Sequence, residues 1–214
     1  MKTYTLPTLS EIVDAVILAN GEFPSHKIPL SILHSNQYIV CCDGAINDLA
    51  STSIHPQAIV GDCDSLSDAS RTRYSNIIHQ INEQETNDLT KSVKFCIEQG
   101  KKRLIIVGAT GKREDHSIAN ISLLSLYIEY ADEISIITDY GVFNAIDSYT
   151  IFESTPKQQV SLFSIIPSKI TSYGLKYPIQ QKVFSNWWQA TLNESEGDRF
   201  SIDTNGKVIV FRAF

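Results

Sequence analysis

The sequence predicts an α/β fold, a doubly wound and mostly parallel sheet, followed by a small all-β unit, and three observations carry that expectation. Over the first two thirds of the chain, short apolar runs alternate with amphipathic segments, the order that builds a parallel sheet with crossover helices. Most of the runs are continuous rather than alternating, as strands covered on both faces are. Beyond about residue 150 the helical period disappears and short strand-like stretches take over.

The expected strands are residues 15–19, 38–40, 58–60, 103–107 and 133–137. Each runs into a polar or glycine-bearing loop: Asn20-Gly21, Asp43-Gly44, Gly61-Asp62, Gly108-Ala109-Thr110-Gly111 and Thr138-Asp139. Residues 88–99 read as a helix, with Leu89, Val93, Cys96 and Ile97 on one face and Gly100 at its stop. Residues 115–130 read as another, with Ile118, Ile121, Ser125 and Ile128 on one stripe and Leu124 beside it. In the last third, residues 159–166 partly alternate. Residues 200–203 and 207–211 flank Asn205-Gly206, a hairpin signal. Residues 173–177 and 187–191 read as further short strands, which would turn one of Trp187 and Trp188 inward and the other outward. The division falls between a first domain, 1–147, and a second, 148–214, too small to be comfortable alone.

Composition narrows the function. The 214 residues are 43% hydrophobic and 20% charged, ordinary for a globular chain. Eighteen Lys and Arg against 24 Asp and Glu give a net charge of −6, with no basic run, which argues against a nucleic-acid partner. A phosphate-bearing small ligand stays open, because a metal can reverse the field of a local site. No stretch approaches the ~18 apolar residues of a membrane span, and the start of the chain lacks a signal-peptide pattern. Cys41, Cys42, Cys63 and Cys96 match no zinc spacing, and two are adjacent. A cytoplasmic protein with reduced thiols and no membrane partner is expected.

Ligands of open parallel sheets bind beyond the carboxyl ends of the strands, and the unusual residues cluster there. Asp43 follows one strand; Asp62 and Asp64 follow the next; Gly111, Arg113 and Asp115 follow a third. In an extended Asp62-Cys63-Asp64 both carboxylates point the same way and suit magnesium, while Cys63 points away. The same residues also suit a plain turn. Gln84-Glu85-Thr86-Asn87-Asp88 opens a helix, where Thr86 or Asn87 caps it and Asp88 is aimed at the crevice. The loop 108–116 is neither a Walker A loop nor a dinucleotide fingerprint. It reads as a flexible loop capped by Asp115, or as a phosphate cradle with Arg113 as its clamp. His116 alone suits an exposed helix start. An exposed indole beside Ser185-Asn186 could stack on a flat cationic ring.

Taken in order, these segments resemble thiamine pyrophosphokinase over nearly the whole chain. The matching stretches are residues 17–21, 43–47, 61–65, 84–91, 111–116 with Asn120, and Ser185-Asn186. The resemblance implies an α/β domain, a C-terminal β-sandwich, a homodimer, and transfer of pyrophosphate from ATP to thiamine with release of AMP. It implies magnesium on Asp62, Asp64 and Asp88, with Asp43, Gln84 and Asp88 at the reaction centre. Asn20, Gly21, Gly111, Arg113, Asp115 and His116 would hold ATP. Ser185 and Asn186, with an aromatic from Tyr177, Trp187 or Trp188, would hold thiamine across the dimer interface. The chain departs from the family pattern at Ala45, where a second glycine is usual, and at Asn87, where threonine is common. A pyrophosphokinase for another heterocycle, such as a hydroxymethylpterin, and a non-catalytic thiamine or nucleotide sensor are the competing readings.

Overall fold

The computed structural model describes residues 2–49 and 52–214; Met1, Ala50 and Ser51 lie outside them. In chain order the elements are β1 (Lys2–Tyr4), β2 (Ala15–Leu18), α1 (Lys27–Ser35), β3 (Ile39–Cys42), α2 (Ile46–Leu49), β4 (Ala58–Gly61), α3 (Asp68–Arg73) and β5 (Ile78–Gln80). There follow α4 (Asp88–Glu98), β6 (Arg103–Val107), α5 (Glu114–Tyr127), β7 (Glu133–Thr138), β8 (Gly141–Ile146) and β9 (Thr150–Glu153). The chain ends with β10 (Gln159–Ser164), β11 (Lys169–Tyr173), β12 (Lys182–Val183), β13 (Asn193–Glu194), β14 (Arg199–Thr204) and β15 (Val208–Ala213).

One sheet has ten strands in the order β13-β10-β15-β8-β7-β6-β2-β3-β4-β5. From β7 to β5 each neighbouring pair is parallel, and the remaining pairs are antiparallel. On one face, Leu89, Val93 and Cys96 of α4 and Leu124 and Tyr127 of α5 pack with Ile17, Val40, Val60 and Ile106. On the other, Ile32 and Leu33 of α1 and Ile46 and Leu49 of α2 pack with Val16, Leu18, Cys41 and Ile59. Successive residues of one strand therefore enter opposite cores, which is why the strands read as unbroken apolar runs. The doubly wound expectation holds.

The second sheet, β1-β9-β14-β11-β12, packs on the antiparallel half of the first. Tyr4, Phe152, Phe200 and Ile202 meet Val160, Leu162, Val208 and Val210 between them. This is the expected sandwich, and it shares a sheet with the α/β half. β1, from the start of the chain, pairs in parallel with β9 in the second sheet. Arg212 of β15 ties this strand down. Fully buried, it donates to the carbonyls of Tyr4 (3.3 Å), Thr5 (2.9 Å) and Glu153 (2.6 Å) and to Asn144 Oδ1 (3.0 Å). Burial pushes its pKa down to about 10.

Several local expectations are corrected. Residues 200–203 and 207–211 do not form a hairpin. Asn205-Gly206 is a turn between sheets: β14 pairs with β9 and β11, β15 with β8 and β10. Phe200, Ile202, Val208 and Val210 all bury in one core, and facing strands achieve that across the sandwich. Residues 187–191 are not a strand. Trp187–Ala190 is a 3₁₀ turn held by a capping box between Asn186 and Gln189, so both indoles are exposed, Trp187 by 48% and Trp188 by 73%. β11 ends at Tyr173, and Gly174, at φ +76°, turns the chain where a strand through residue 177 was expected. In α5, Leu124, Ser125 and Tyr127 are buried and Ile118 is exposed, because the first turns overhang the cleft that His116 and Asn120 line. Among the described residues no helix is long and apolar enough to cross a membrane.

Candidate active site

The chain leaves β2, runs outward through β3, β4 and β5, and returns on the other side of β2 as β6. That reversal opens a crevice beyond the carboxyl ends of β2 and β6, and a cleft of ≈ 480 Å³ lies there. One wall is made by zipping the loop after β2 to the loop after β6. Gly21 N–H donates to the Gly108 carbonyl (2.7 Å) and Glu22 N–H to that of Thr110 (2.8 Å). Gly111 sits at φ +79°, and a Cβ on it would stand 2.6 Å from Glu22 Cβ, so only glycine fits there. Asn20, Gly21, Gly111, Arg113 and His116 line the cleft.

The other wall is acidic. Asp43 opens a 3₁₀ turn directly after β3, Asp62 follows β4, and Asp88 is the first residue of α4, capped by Asn87, whose Oδ1 accepts from Thr90 N–H (2.9 Å). One oxygen from each of Asp43, Asp62 and Asp88 lies within 4.8 Å of the others. Gln84, also on the cleft, donates to Asp62 Oδ2 (3.4 Å).

Asp64 stands apart from this cluster. The backbone at Cys63 is left-handed (φ +69°), not extended, so Asp62 and Asp64 do not point the same way. Asp64 N–H turns back to Asp62 Oδ1 (3.1 Å), and Arg71 of α3 fixes the turn by donating to the Cys63 carbonyl (2.7 Å). Cys63 is driven into the core, and Asp64 is exposed. Asp43, rather than Asp64, is the third carboxylate with an oxygen within 4.8 Å of Asp62 and Asp88.

Asp43 and Asp62 differ in character. Asp43 is 1% exposed; burial raises its pKa, the Ser65 N–H bond to Oδ2 (3.0 Å) opposes that, and the charges of Asp88, Asp62 and Asp64 add to the rise. Asp62 is held below the usual carboxylate range, first by the Asp64 N–H. Asp43 Oδ1 is buried with no hydrogen-bond partner among the described residues. A buried acceptor of this kind is costly unless something else satisfies it. Three hard oxygen donors, one of them unsatisfied, fit a magnesium ion.

Arg113 and Asp115 bind each other, Nη2 to Oδ2 at 2.6 Å and Nε to Oδ1 at 3.1 Å, both well exposed. Asp115 does not line the cleft; it orients Arg113, which does. Asn120 couples the two walls, donating to the Ala109 carbonyl (2.8 Å) and accepting from Asn87 Nδ2 (3.3 Å). Tyr177, Ser185, Asn186, Trp187 and Trp188 lie on the sandwich, and none of them lines this cleft. Lys91 lines it and was missed as a site residue, although it closes the 84–91 stretch that carries the resemblance, one helical turn after Asp88.

Residues 30–138 match the family model described as thiamin pyrophosphokinase, catalytic domain, and residues 141–211 match its substrate-binding domain. The chain belongs to the thiamin pyrophosphokinase family. Among curated members, it is 24% identical over 159 residues to thiamin pyrophosphokinase 1 of Caenorhabditis elegans, covering 67% of this chain and 65% of that one. It is 30% identical over 135 residues to thiamine pyrophosphokinase 1 of Oryza sativa subsp. japonica, covering 51% and 50%. The matches thus span between half and two thirds of these relatives' lengths. The fold is that of thiamin pyrophosphokinase from Candida albicans, with a TM-score of 0.81 at 18% identity over 100% of this chain and 92% of that one. Within this family layout, Asp43, Asp62 and Asp88 fall in the catalytic match, and the exposed Trp187 and Trp188 fall in the substrate-binding match.

Proposed function

We propose that this chain is an ATP-dependent thiamine diphosphokinase, transferring pyrophosphate from ATP to the hydroxyl of thiamine and releasing AMP. The observation that carries the reading is the convergence of Asp43, Asp62 and Asp88 on one point, Asp62 and Asp88 lining a cleft whose facing wall includes Ala109 and Gly111, with Asp43 buried behind them. Magnesium on those three carboxylates would neutralise the triphosphate and polarise the phosphorus under attack. Asp64 acts from outside the set, through the N–H that fixes Asp62.

The chain's own residues supply position and proton transfer. Asn20, Gly21, Gly111 and His116 hold the nucleotide along the loop wall, and Arg113, oriented by Asp115, closes on its phosphates. Thiamine's hydroxyl oxygen bonds to the β-phosphorus as the bond to the bridging α–β oxygen breaks, and AMP departs with that oxygen. The hydroxyl proton passes to a carboxylate of the Asp43–Asp88 pair, with Gln84 beside it.

In this reading residues 1–147 form the catalytic unit, and 148–214 form the thiamine-binding and dimerisation unit. Tyr177, Ser185, Asn186, Trp187 and Trp188 then present thiamine to the cleft of a second subunit. Supporting this is the exposure of Tyr177 (61%), Trp187 (48%) and Trp188 (73%), a patch of large side chains only partly covered within the chain. Four buried free thiols suit the reducing cytoplasm.

The test is product identification by mass after incubation with ATP, magnesium and thiamine. Thiamine diphosphate with equimolar AMP is expected. Thiamine monophosphate with ADP would overturn pyrophosphoryl transfer, and turnover of a hydroxymethylpterin alone would overturn the substrate.

A further inference from the structure

Lysine is among the residues least often buried, because its ammonium loses water on leaving the surface. Lys91, in the first turn of α4, is nonetheless only 3% exposed, and it lines the catalytic cleft. Its Nζ stands 3.3 Å from Asp88 Oδ1, and no second hydrogen bond is made to it by the described residues. An ammonium carries three donors, so this single bond leaves two for whatever enters the cleft.

The other long cations there are differently placed. Arg113 is held in a paired bond by Asp115, and its side chain is 70% exposed. Lys112 reaches Asp48 (3.4 Å) and the Asn20 carbonyl (3.5 Å) from a half-exposed position. Lys91 alone of the three is fixed and buried, where a charge acts most strongly on a neighbouring anion. It also offsets one of the three negative charges of Asp43, Asp62 and Asp88. One divalent cation would balance the other two, leaving the spare ammonium donors for an added anion.

We propose that Lys91 is a substrate-contacting residue that binds the transferred pyrophosphoryl group, one N–H fixing Asp88 and the other two reaching non-bridging oxygens of the β- and γ-phosphates. This rests on the reading of the cleft as a nucleotide site. A compact ammonium suits the task, as a point charge that follows the phosphates while they move from AMP to the acceptor.

The test measures binding of α,β-methylene ATP with magnesium, of AMP, and of Mn²⁺ alone, to the full chain and to Lys91→Met and Lys91→Arg. Lys91→Met is expected to weaken the triphosphate analogue about 30-fold, with AMP within about threefold and Mn²⁺ bound at least as tightly. Lys91→Arg, which keeps the charge, is expected to recover part of the loss. A Lys91→Met protein that binds the analogue as the wild type does, or that loses AMP and the analogue alike, overturns the proposal. Should that variant not fold, NMR of the unmodified chain decides. The Lys91 side-chain signal must move with magnesium pyrophosphate and stay with AMP, and the reverse overturns the assignment. None of these measurements uses thiamine, so a failure to make thiamine diphosphate would fall on the substrate reading and not on Lys91.

Discussion

Gly61 lies directly beneath Asp43: a Cβ added to Gly61 would stand 2.7 Å from Asp43 Cβ, and 3.1 Å from Asp88 Cγ. The last residue of β4 is therefore the spacer that lets carboxylates from β3 and α4 converge. Gly61→Ala is expected to cost about 1–3 kcal/mol of stability through overpacking and to spread the carboxylates. Urea unfolding measures the first effect, and a raised magnesium requirement reports the second. Unchanged magnesium dependence would show that the spacing is not critical.

Asp62 and Asp64 are two residues apart and face different surroundings. Asp62→Asn is expected to lower turnover at least about 10²-fold and to weaken Mn²⁺ binding. Asp64→Asn keeps the N–H that fixes Asp62, so turnover within about tenfold of wild type is expected. Equal losses in the two variants would return Asp64 to the metal set.

Asp43 makes stability depend on pH. Below the ordinary aspartate value of 3.8 it is protonated in both folded and unfolded chains, and its burial carries no charge penalty. As pH rises through its raised folded pKa, the native state has to expose an anion to burial and to Asp88 and Asp62, and that share of stability is lost. Asp43→Asn has no such proton to lose. Without metal it is expected to melt above the wild type near neutral pH, the gap closing as pH falls toward about 3. Adding magnesium should raise the wild type and leave the variant nearly unmoved. Activity of the variant is expected to be lost.

Trp188 is 73% exposed and its removal should cost the fold little. Trp188→Ala is expected to raise the KM for thiamine about tenfold with the KM for ATP unchanged. Steady-state kinetics with each substrate varied separates the two, and a change confined to ATP would remove the indole from the thiamine site.

Arg212 anchors the first strand of the chain. Arg212→Ala leaves the carbonyls of Tyr4, Thr5 and Glu153 without their buried donor. A loss of about 2–4 kcal/mol in urea unfolding is expected, with faster amide exchange in β1 than in β6.

The sequence by itself determined the doubly wound half, because strands buried on both faces must be apolar throughout and crossover helices must show a 3.6-residue stripe. It also placed Asp43, Asp62 and the 108–116 loop at strand ends and Asp88 at a helix start aimed at the same edge. A strand end is a property of the local sequence, and in such sheets it is where ligands bind. Tertiary structure decided the rest. Asn205-Gly206 has the same chemistry whether the next strand lies beside β14 or across the core from it, and only the shared burial of Phe200 and Val208 selects the second. Asp62-Cys63-Asp64 reads as extended until the core takes Cys63, Arg71 takes its carbonyl, and the backbone turns left-handed. That turn leaves Asp64 outside the close group that Asp43 completes from the end of β3. Lys91 became a site residue for the same reason: burial and the company of three carboxylates belong to the assembled cleft, and a lysine in a helix carries no mark of either.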